Sequence, residues 1–398
     1  MEYKTIENIR KSSEEIFSEV VFWRRHLHQN PELSFQEKKT AEFIEQILKD
    51  NGIETDISIA TNSVIGIIKV NNKNNFIALR ADIDAIAVQE ENNYVYKSNN
   101  QGIMHACGHD AHTAALLGVA KILVKNKELL KNNILLIFQA AEEKNPGGAK
   151  ILLDNGLLKK YNIKKIISQH VDPDIDTSSF AFGEGNLMAS SDELYLTFSG
   201  KGGHAAMPEK RSDTVLAAVN FIKKIELAQK KYNALFPTII SFGKFIANGT
   251  VNVVPNETIL EGTLRTYDEN FRCLIKKELQ KEAKKYAEIY RCSVNFEIKE
   301  GYPCLFNDSN LFLEIKNLAK NFLAEDKIAE GKIIEFKPRM GAEDFAFYSK
   351  KIPALLYRSG IRANGFGKNV LHSPNFDIDE NFFIEAVGLM CYFAIKLV

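Results

Sequence analysis

Two hydrophobic periods alternate along the chain. Apolar residues at helical spacing mark 14–30 and 36–50, and Ser12 with Glu15 forms a capping-box signal ahead of the first. Two short β-rich runs follow, SVIGIIKV (63–70) and NFIALRADID (75–84), and then helical spacing over 111–125. NILLIFQA (133–140) and KKIISQH (164–170) are apolar runs of the kind buried inside a sheet that is covered on both faces. Strands alternating with helices predict an α/β fold with a central, mostly parallel mixed sheet flanked by helices.

The pattern changes near residue 190. DELYLTFSG (192–200) alternates as a half-buried strand, and 212–232 is a helix with Ser212 or Asp213 as its cap. Strands at 237–249 and 257–267, a long helix at 270–291 and a last strand at 292–300 complete a β-α-β-β-α-β order. That order is ferredoxin-like and predicts a domain at 188–300 inserted between 1–187 and 301–398. The α/β pattern resumes with a helix at 308–325, the segment GAEDFAFYSKK (341–351), a strand at 353–360 and a helix from about 380.

Composition narrows the classes. The 398 residues exceed one ordinary domain, and 45% apolar with 26% charged residues suits a globular protein with a large core. Lysine plus arginine equal aspartate plus glutamate at 51 each, which argues against a nucleic-acid partner. No stretch approaches the roughly 20 apolar residues of a membrane span, so no membrane partner is expected. The start carries no signal-peptide pattern, and five cysteines (107, 273, 292, 304, 391) lack disulfide-type spacing; both point to the cytoplasm.

The chemistry concentrates at predicted strand ends. MHACGHDAHTAALLG (104–118) sets Cys107 and His109 on either side of Gly108. On a helix an i, i+2 pair lies roughly 200° apart, whereas in extended chain it shares a face. Gly108 eases a non-helical approach and Asp110 can cap the helix that follows. By itself this segment fits a thiolate–imidazole metal site or a small buried cysteine with a histidine at a helix start. Glu142 and Glu143 follow the apolar strand 133–140, His170 ends the next, and His372 precedes the last helix. Of two adjacent carboxylates, one can bind metal while the other carries a proton. Asp82, Asp84, Glu343 and Asp344 could orient imidazoles from behind, as could His105 and Asp110. Cys107, His109, Glu143, His170 and His372 are more donors than one tetrahedral ion takes from protein, so two divalent ions sharing a thiolate is the natural count.

The ordered segments LRADID, MHACGHDAH, FQAAEE, HVDP, SGKGGHAAMP, GTVNVVPNE, GAEDF and LHSP resemble the dimetal amidohydrolase and aminoacylase family, over essentially the whole chain. That family includes hippurate hydrolase, N-acetyl-diaminopimelate deacetylase and indole-acetyl-amino-acid hydrolases. The resemblance implies Cys107, His109, Glu143, His170 and His372 as ligands of two divalent ions (zinc, manganese, cobalt or nickel) and Glu142 as general base. It also implies a catalytic α/β domain interrupted by a lid that mediates homodimerisation. Hydrolysis of N-acyl-L-amino acids is the expected activity, with His204 of the lid stabilising the oxyanion and Asn252 and Arg265 meeting the substrate carboxylate. A metallo-dipeptidase on the same site, or a metal-free cysteine hydrolase using Cys107 and His109, are the alternatives. Ala87 and Ala140 stand where family members have proline, and Glu209 follows Pro208 where a histidine is frequent.

Overall fold

A computed structural model describes residues 2–71, 74–324, 332–363 and 365–397. In chain order the elements begin α1 (Glu2–Gln29), α2 (Lys38–Asp50), β1 (Glu54–Asp56), β2 (Val64–Ile68), β3 (Phe76–Asp82), α3 (His109–Lys125) and β4 (Asn133–Gln139). Then come α4 (Gly148–Asp154), α5 (Leu157–Lys160), β5 (Ile163–Asp176), β6 (Phe180–Phe182), β7 (Gly185–Met188), β8 (Asp192–Ser199) and β9 (Gly203–His204). Next are α6 (Thr214–Asn233), β10 (Thr238–Ile246), β11 (Val253–Val254), β12 (Glu257–Thr266), α7 (Glu269–Ile289) and β13 (Ser293–Glu300). The described elements close with β14 (Leu305–Asn307), α8 (Ser309–Leu323), β15 (Ile333–Glu335), α9 (Ala346–Ser349), β16 (Ala354–Arg362) and α10 (Phe382–Lys396). The helix expected at 308–325 ends at Leu323, and residue 325 lies outside the described residues.

Two compact units result, one of residues 1–185, 306–337 and 344–398, the other of 186–305 and 338–343. The first is built on an eight-stranded mixed sheet, β1-β2-β4-β3-β5-β16-β6-β15. Its centre, β4-β3-β5-β16, is parallel. Every residue of β2, β3 and β4 is buried, as an apolar run without alternation requires. Helix α3 is buried on nearly all sides and α10 likewise, and both pack against α1. The second unit has an antiparallel sheet, β10-β12-β8-β13, with α6 and α7 packed around a core of its own. Asp213 caps α6 by accepting from Leu216 N. Residues 338–343 join this unit through Ala189 N, which donates to Arg339 O and Gly341 O.

Helix α1 begins twelve residues before the expected start at 14, at Glu2. Ile6, Ile9, Ser13, Ile16, Val20, Trp23 and Leu27 form one buried stripe at alternating three- and four-residue steps, so burial carries the helix through the Ser12 signal. Ser13 Oγ donates back to Ile9 O at 3.1 Å. At its far end α1 delivers two cations to the interior. Arg24 Nε and Nη2 donate to Asp110 and Asp377, each at 2.9 Å, and Nη1 lies 3.3 Å from Glu380. His28 bridges Asp110 Oδ2 (2.8 Å) and Glu90 Oε1 (3.2 Å). Asp110 therefore does not cap α3; that role falls to Gly108, with no side-chain cap. The buried carboxylate takes the arginine and the imidazolium instead, because leaving either cation unpaired inside the protein would cost several kcal/mol.

Burial and Arg24 oppose a charge on His28, yet Asp110 and Glu90 prevail and its pKa rises above 6.5. A raised pKa contributes stability that is full below 6.5 and is lost as pH climbs through the raised value. Replacing the residue, His28→Gln, is expected to cost about 2–3 kcal/mol at pH 6 and clearly less at pH 9 in urea unfolding. Equal costs at the two pH values would show that no charge sits there.

Candidate metal centre

At the carboxyl edge of the parallel strands the backbones separate. The β3–β5 pairing ends at Arg80 and Ser168, and the β3–β4 pairing at Asp82 and Gln139. Beyond those points side chains from several elements face a common space, the position where open α/β sheets bind ligands. Strand β5 continues to Asp176 on the strength of β16 alone, so His170 lies within the strand and not at its end.

Gly108 makes the turn into α3 with φ +85°. An added Cβ would meet Val171 Cγ2 at 2.4 Å, so both backbone and space call for glycine. On either side stand Cys107 and His109, both buried. His109 Nδ1 lies 2.9 Å from Asp84 O and 3.1 Å from Asp84 Oδ1, which turns Nε2 toward the open space. His170 Nδ1 donates to Val171 O at 2.8 Å, and its Nε2 lies 3.6 Å from Cys107 Sγ. His372 comes from the loop before α10, with φ +66° and its amide on Ala106 O at 2.7 Å. Its Nε2 lies 3.4 Å from Cys107 Sγ and 3.2 Å from Glu143 Oε1.

Glu142 and Glu143 leave β4 through Ala141, which has φ +55°. A left-handed alanine costs about 1–3 kcal/mol and persists only where its surroundings hold it. Glu143 Oε1 is 3.9 Å from His109 Nε2. Cys107, His109 and His170 form one trio of donors within 4.8 Å, Cys107, Glu143 and His372 a second, and His109, Glu142 and Glu143 a third. Thus the structure brings together Cys107, His109, Glu142, Glu143, His170 and His372. The rear of the cluster is buried, whereas the His372 side chain is 52% exposed and leaves one side open to solvent.

The donor set fits divalent cations. His109 Nε2 is buried with no hydrogen-bond partner among the described residues, at about 1–3 kcal/mol. Burial opposes a charge on His109, but Asp82, Asp84 and Glu143 raise its pKa to about 10. Those three carboxylates favour positive charge at this position. Burial and Arg358 hold His170 well below its ordinary pKa, leaving a neutral ring whose Nε2 lone pair is free to coordinate. The trio Asp82, His109 and His112 also lies within 4.8 Å but is already engaged. His112 Nε2 accepts from Val171 N at 2.9 Å, so its Nδ1–H belongs to Asp82 Oδ1, and Asp82 Oδ2 takes Arg80 at 2.7 Å.

Behind the cluster the expected supports divide. Asp84 is hydrogen bonded to His109, and its Oδ2 accepts from Glu143 N (2.9 Å) and Ser34 Oγ (2.7 Å). Asp82 acts on His112, and its Oδ2 lies 3.8 Å from His109 Nε2. Asp110 is a correction: its carboxylate holds Arg24 and His28, not a ligand imidazole. His105 is also buried, with neither ring nitrogen hydrogen bonded among the described residues, and burial pushes its pKa to about 4. Asp344 accepts from Arg80, Gln139 Nε2 and Ala149 N. Glu343 is buried in the second unit.

The remaining candidates also belong to the second unit. His204 on β9 is exposed and pairs with Val253. Its Nδ1 accepts from Ala206 N at 3.1 Å, so the proton sits on Nε2. Asn252 O accepts from Ala205 N at 2.8 Å, tying that residue to the His204 turn. Arg265 on β12 is half-buried and donates to Met340 O at 3.0 Å.

Sequence reasoning passes over Arg80 and Glu37, whereas His112, which flanks the candidate donors, reads as a hydrogen-bonding neighbour of them and not as a ligand. Arg80 spans Asp82, Gln139 and Asp344, and its signal is a lone charge inside the buried run FIALRAD. Glu37 is fully buried and accepts from Ala141 N at 2.7 Å; burial, with Asp84 near, lifts its pKa to about 7. Nothing in the local pattern distinguishes it from an ordinary helix-start glutamate.

Comparison with known proteins gives consistent matches. The family model described as peptidase family M20/M25/M40 matches residues 78–396. An N-acetyl-L-cysteine deacetylase of Bacillus subtilis is 35% identical over 364 residues, covering 91% of this chain and 84% of its own. An N-acetyldiaminopimelate deacetylase of Lactobacillus helveticus is 33% identical over 388 residues, 95% of this chain and 97% of its own. Among solved structures, the Bacillus subtilis YXEP protein, described as a dinuclear metal binding peptidase from the M20 family, superposes with a TM-score of 0.81. It is 30% identical and covers 96% of this chain and 98% of its own.

Gly108→Ala is expected to cost about 2–5 kcal/mol in thermal or urea unfolding, from the left-handed backbone and the Val171 overlap together. A variant as stable as the parent would mean that the turn before α3 tolerates a side chain.

Proposed function

The chain belongs to peptidase family M20/M25/M40, and from that membership and the donor geometry we propose that it hydrolyses the amide bond of N-acyl-L-amino acids to a carboxylate and a free amino acid. The observation that carries this reading is the sharing of Cys107 by two donor trios, with Glu142 beside His109 and Glu143. Cys107, His109 and His170 would hold one divalent cation, and Cys107, Glu143 and His372 a second. Zinc, manganese, cobalt and nickel all suit this mixture of sulfur, nitrogen and oxygen donors. When bound, such a pair supplies Lewis acidity, lowering the pKa of water from about 15.7 toward about 7 and polarising the amide carbonyl.

The side chains do the rest. Glu142 takes the proton of the attacking water and returns it to the leaving amine. Asp84 keeps His109 Nδ1 occupied, so that its Nε2 would be the atom offered to a cation. His204, with its proton on Nε2, is the proposed donor to the oxyanion. Asn252 and Arg265 are the proposed partners of the substrate carboxylate, for which a guanidinium offers a bidentate fork. Homodimerisation through the second unit is part of the proposal, supported by the exposed apolar residues Leu216, Val219, Val251 and Val253. Five free cysteines support a reducing compartment, the cytoplasm.

A cysteine-nucleophile mechanism is disfavoured on electrostatic grounds. Burial and the carboxylates of Glu143, Glu142 and Asp82 push the Cys107 thiol well above its ordinary pKa, the reverse of what a reactive thiol needs.

A panel of N-acetyl and N-aroyl amino acids assayed against free dipeptides tests the substrate class; faster turnover of dipeptides would replace it with a dipeptidase. Chelation with EDTA is expected to abolish turnover, and Mn²⁺ or Zn²⁺ to restore it; activity that survives chelation would refute metal dependence. Glu142→Gln is expected to lower kcat by about 10²–10⁴-fold with bound metal near the parent level. Near-normal turnover in that variant would remove Glu142 from its role as base.

A further inference from the structure

The turn that presents Glu142 and Glu143 is held by side chains from outside it. Ala140 N donates to Ser63 Oγ at 3.1 Å, Ala141 N to Glu37 Oε1 at 2.7 Å, and Glu143 N to Asp84 Oδ2 at 2.9 Å. These three acceptors come from separate segments: the lead-in to β2, the start of α2 and the segment just after β3. Between them Ala141 adopts its left-handed φ of +55°. Local preference does not favour that conformation for alanine, so something must impose it.

Glu37 is the unusual member of this set. It occupies the N-cap position of α2, where a carboxylate ordinarily accepts from its own helix, yet it makes no side-chain cap bond. Instead its fully buried carboxylate reaches residue 141, with Asn62 Nδ2 at 3.3 Å from the second oxygen. A buried carboxylate with no basic partner among the described residues is costly, and besides the backbone amides of Phe35 and Glu37 it holds the amide that sets the direction of the two glutamates.

We propose that Glu37 is a positioning residue: acting through the Ala141 amide, with Ser63 alongside, it fixes the turn that aims Glu142 and Glu143. The inference rests on the reading of those two residues as base and ligand. It is the reach of an acceptor oxygen that matters here, not the charge. Glu37→Gln keeps an oxygen at the same distance, and Asn62 can reverse its amide to suit the new NH₂. Glu37→Asp keeps the charge but is one methylene too short.

The test compares the two variants and Ser63→Ala by Zn²⁺ titration against a chromogenic chelator, by kcat and KM on an N-acetyl amino acid, and by Tm. Glu37→Asp is expected to bind Zn²⁺ at least tenfold more weakly at one of two sites, with kcat down at least tenfold and KM within threefold. Glu37→Gln is expected to stay within threefold of the parent on every reading. Ser63→Ala is expected to lose threefold or more in kcat, and it stands as the second reading if Glu37→Asp does not fold. Parent-like Zn²⁺ affinity and kcat in Glu37→Asp would overturn the inference. So would a folded Glu37→Gln as impaired as Glu37→Asp, or an unimpaired Ser63→Ala where Glu37→Asp is lost. A parent protein that binds two Zn²⁺ but hydrolyses no N-acyl amino acid would sink the proposed activity and leave the Zn²⁺ comparison to decide the role of Glu37.

Discussion

Cys107 Sγ stands between two imidazoles, 3.6 Å from His170 Nε2 and 3.4 Å from His372 Nε2, and the geometry of the donor cluster depends on that meeting. The three residues come from the lead-in to α3, the middle of β5 and the loop before α10. Bringing them together requires the β3–β5 pairing to stop at Ser168 and α3 to start from a glycine at φ +85°. It also requires the His372 loop to lie on Ala106 O with a positive φ. Of these the positive φ of His372 is unfavourable locally, and its amide bond to Ala106 O holds it.

A second constraint is charge. Asp82, Asp84, Glu142, Glu143 and Asp110 crowd the same end of the sheet, and the chain answers with cations placed behind the donors. Arg80 holds Asp82 and Asp344, and Arg24 and His28 hold Asp110. These pairs are fully buried, where desolvation offsets much of the attraction, so their contribution lies more in fixing geometry than in net stability. Arg80 and His112 consume both oxygens of Asp82 and keep it from competing for the ion space. Asp84 meanwhile joins His109 to the Glu143 amide, so two separate donors share one support.

Much of this was legible in the chain. NILLIFQ is buried throughout, as a continuous apolar run predicts, and the spacing around residues 111–125 led to a buried helix. The candidate donors could be picked out because ionisable side chains are seldom buried without a partner, and here they adjoin apolar runs. The supports were not legible in the same way. Glu37 looks like any polar residue before an amphipathic helix, and Asp110 looks like a helix cap. The start of α1 escapes the local pattern for a related reason: Ser12 carries a capping signal, which a long buried stripe overrides.

What the sequence by itself determined is the residue inventory: which segments are strands and helices, and which donor types lie in or beside them. Periodicity and side-chain chemistry are local properties, so they survive in one dimension. Tertiary structure alone decided the partners: that Asp110 serves Arg24, that His112 is closed off by Val171 N and Asp82, and that Glu37 reaches Ala141 across 104 positions. A hydrogen bond depends on distances of about 3 Å and on direction, and neither is encoded in spacing along a chain until the core has set the strands beside one another.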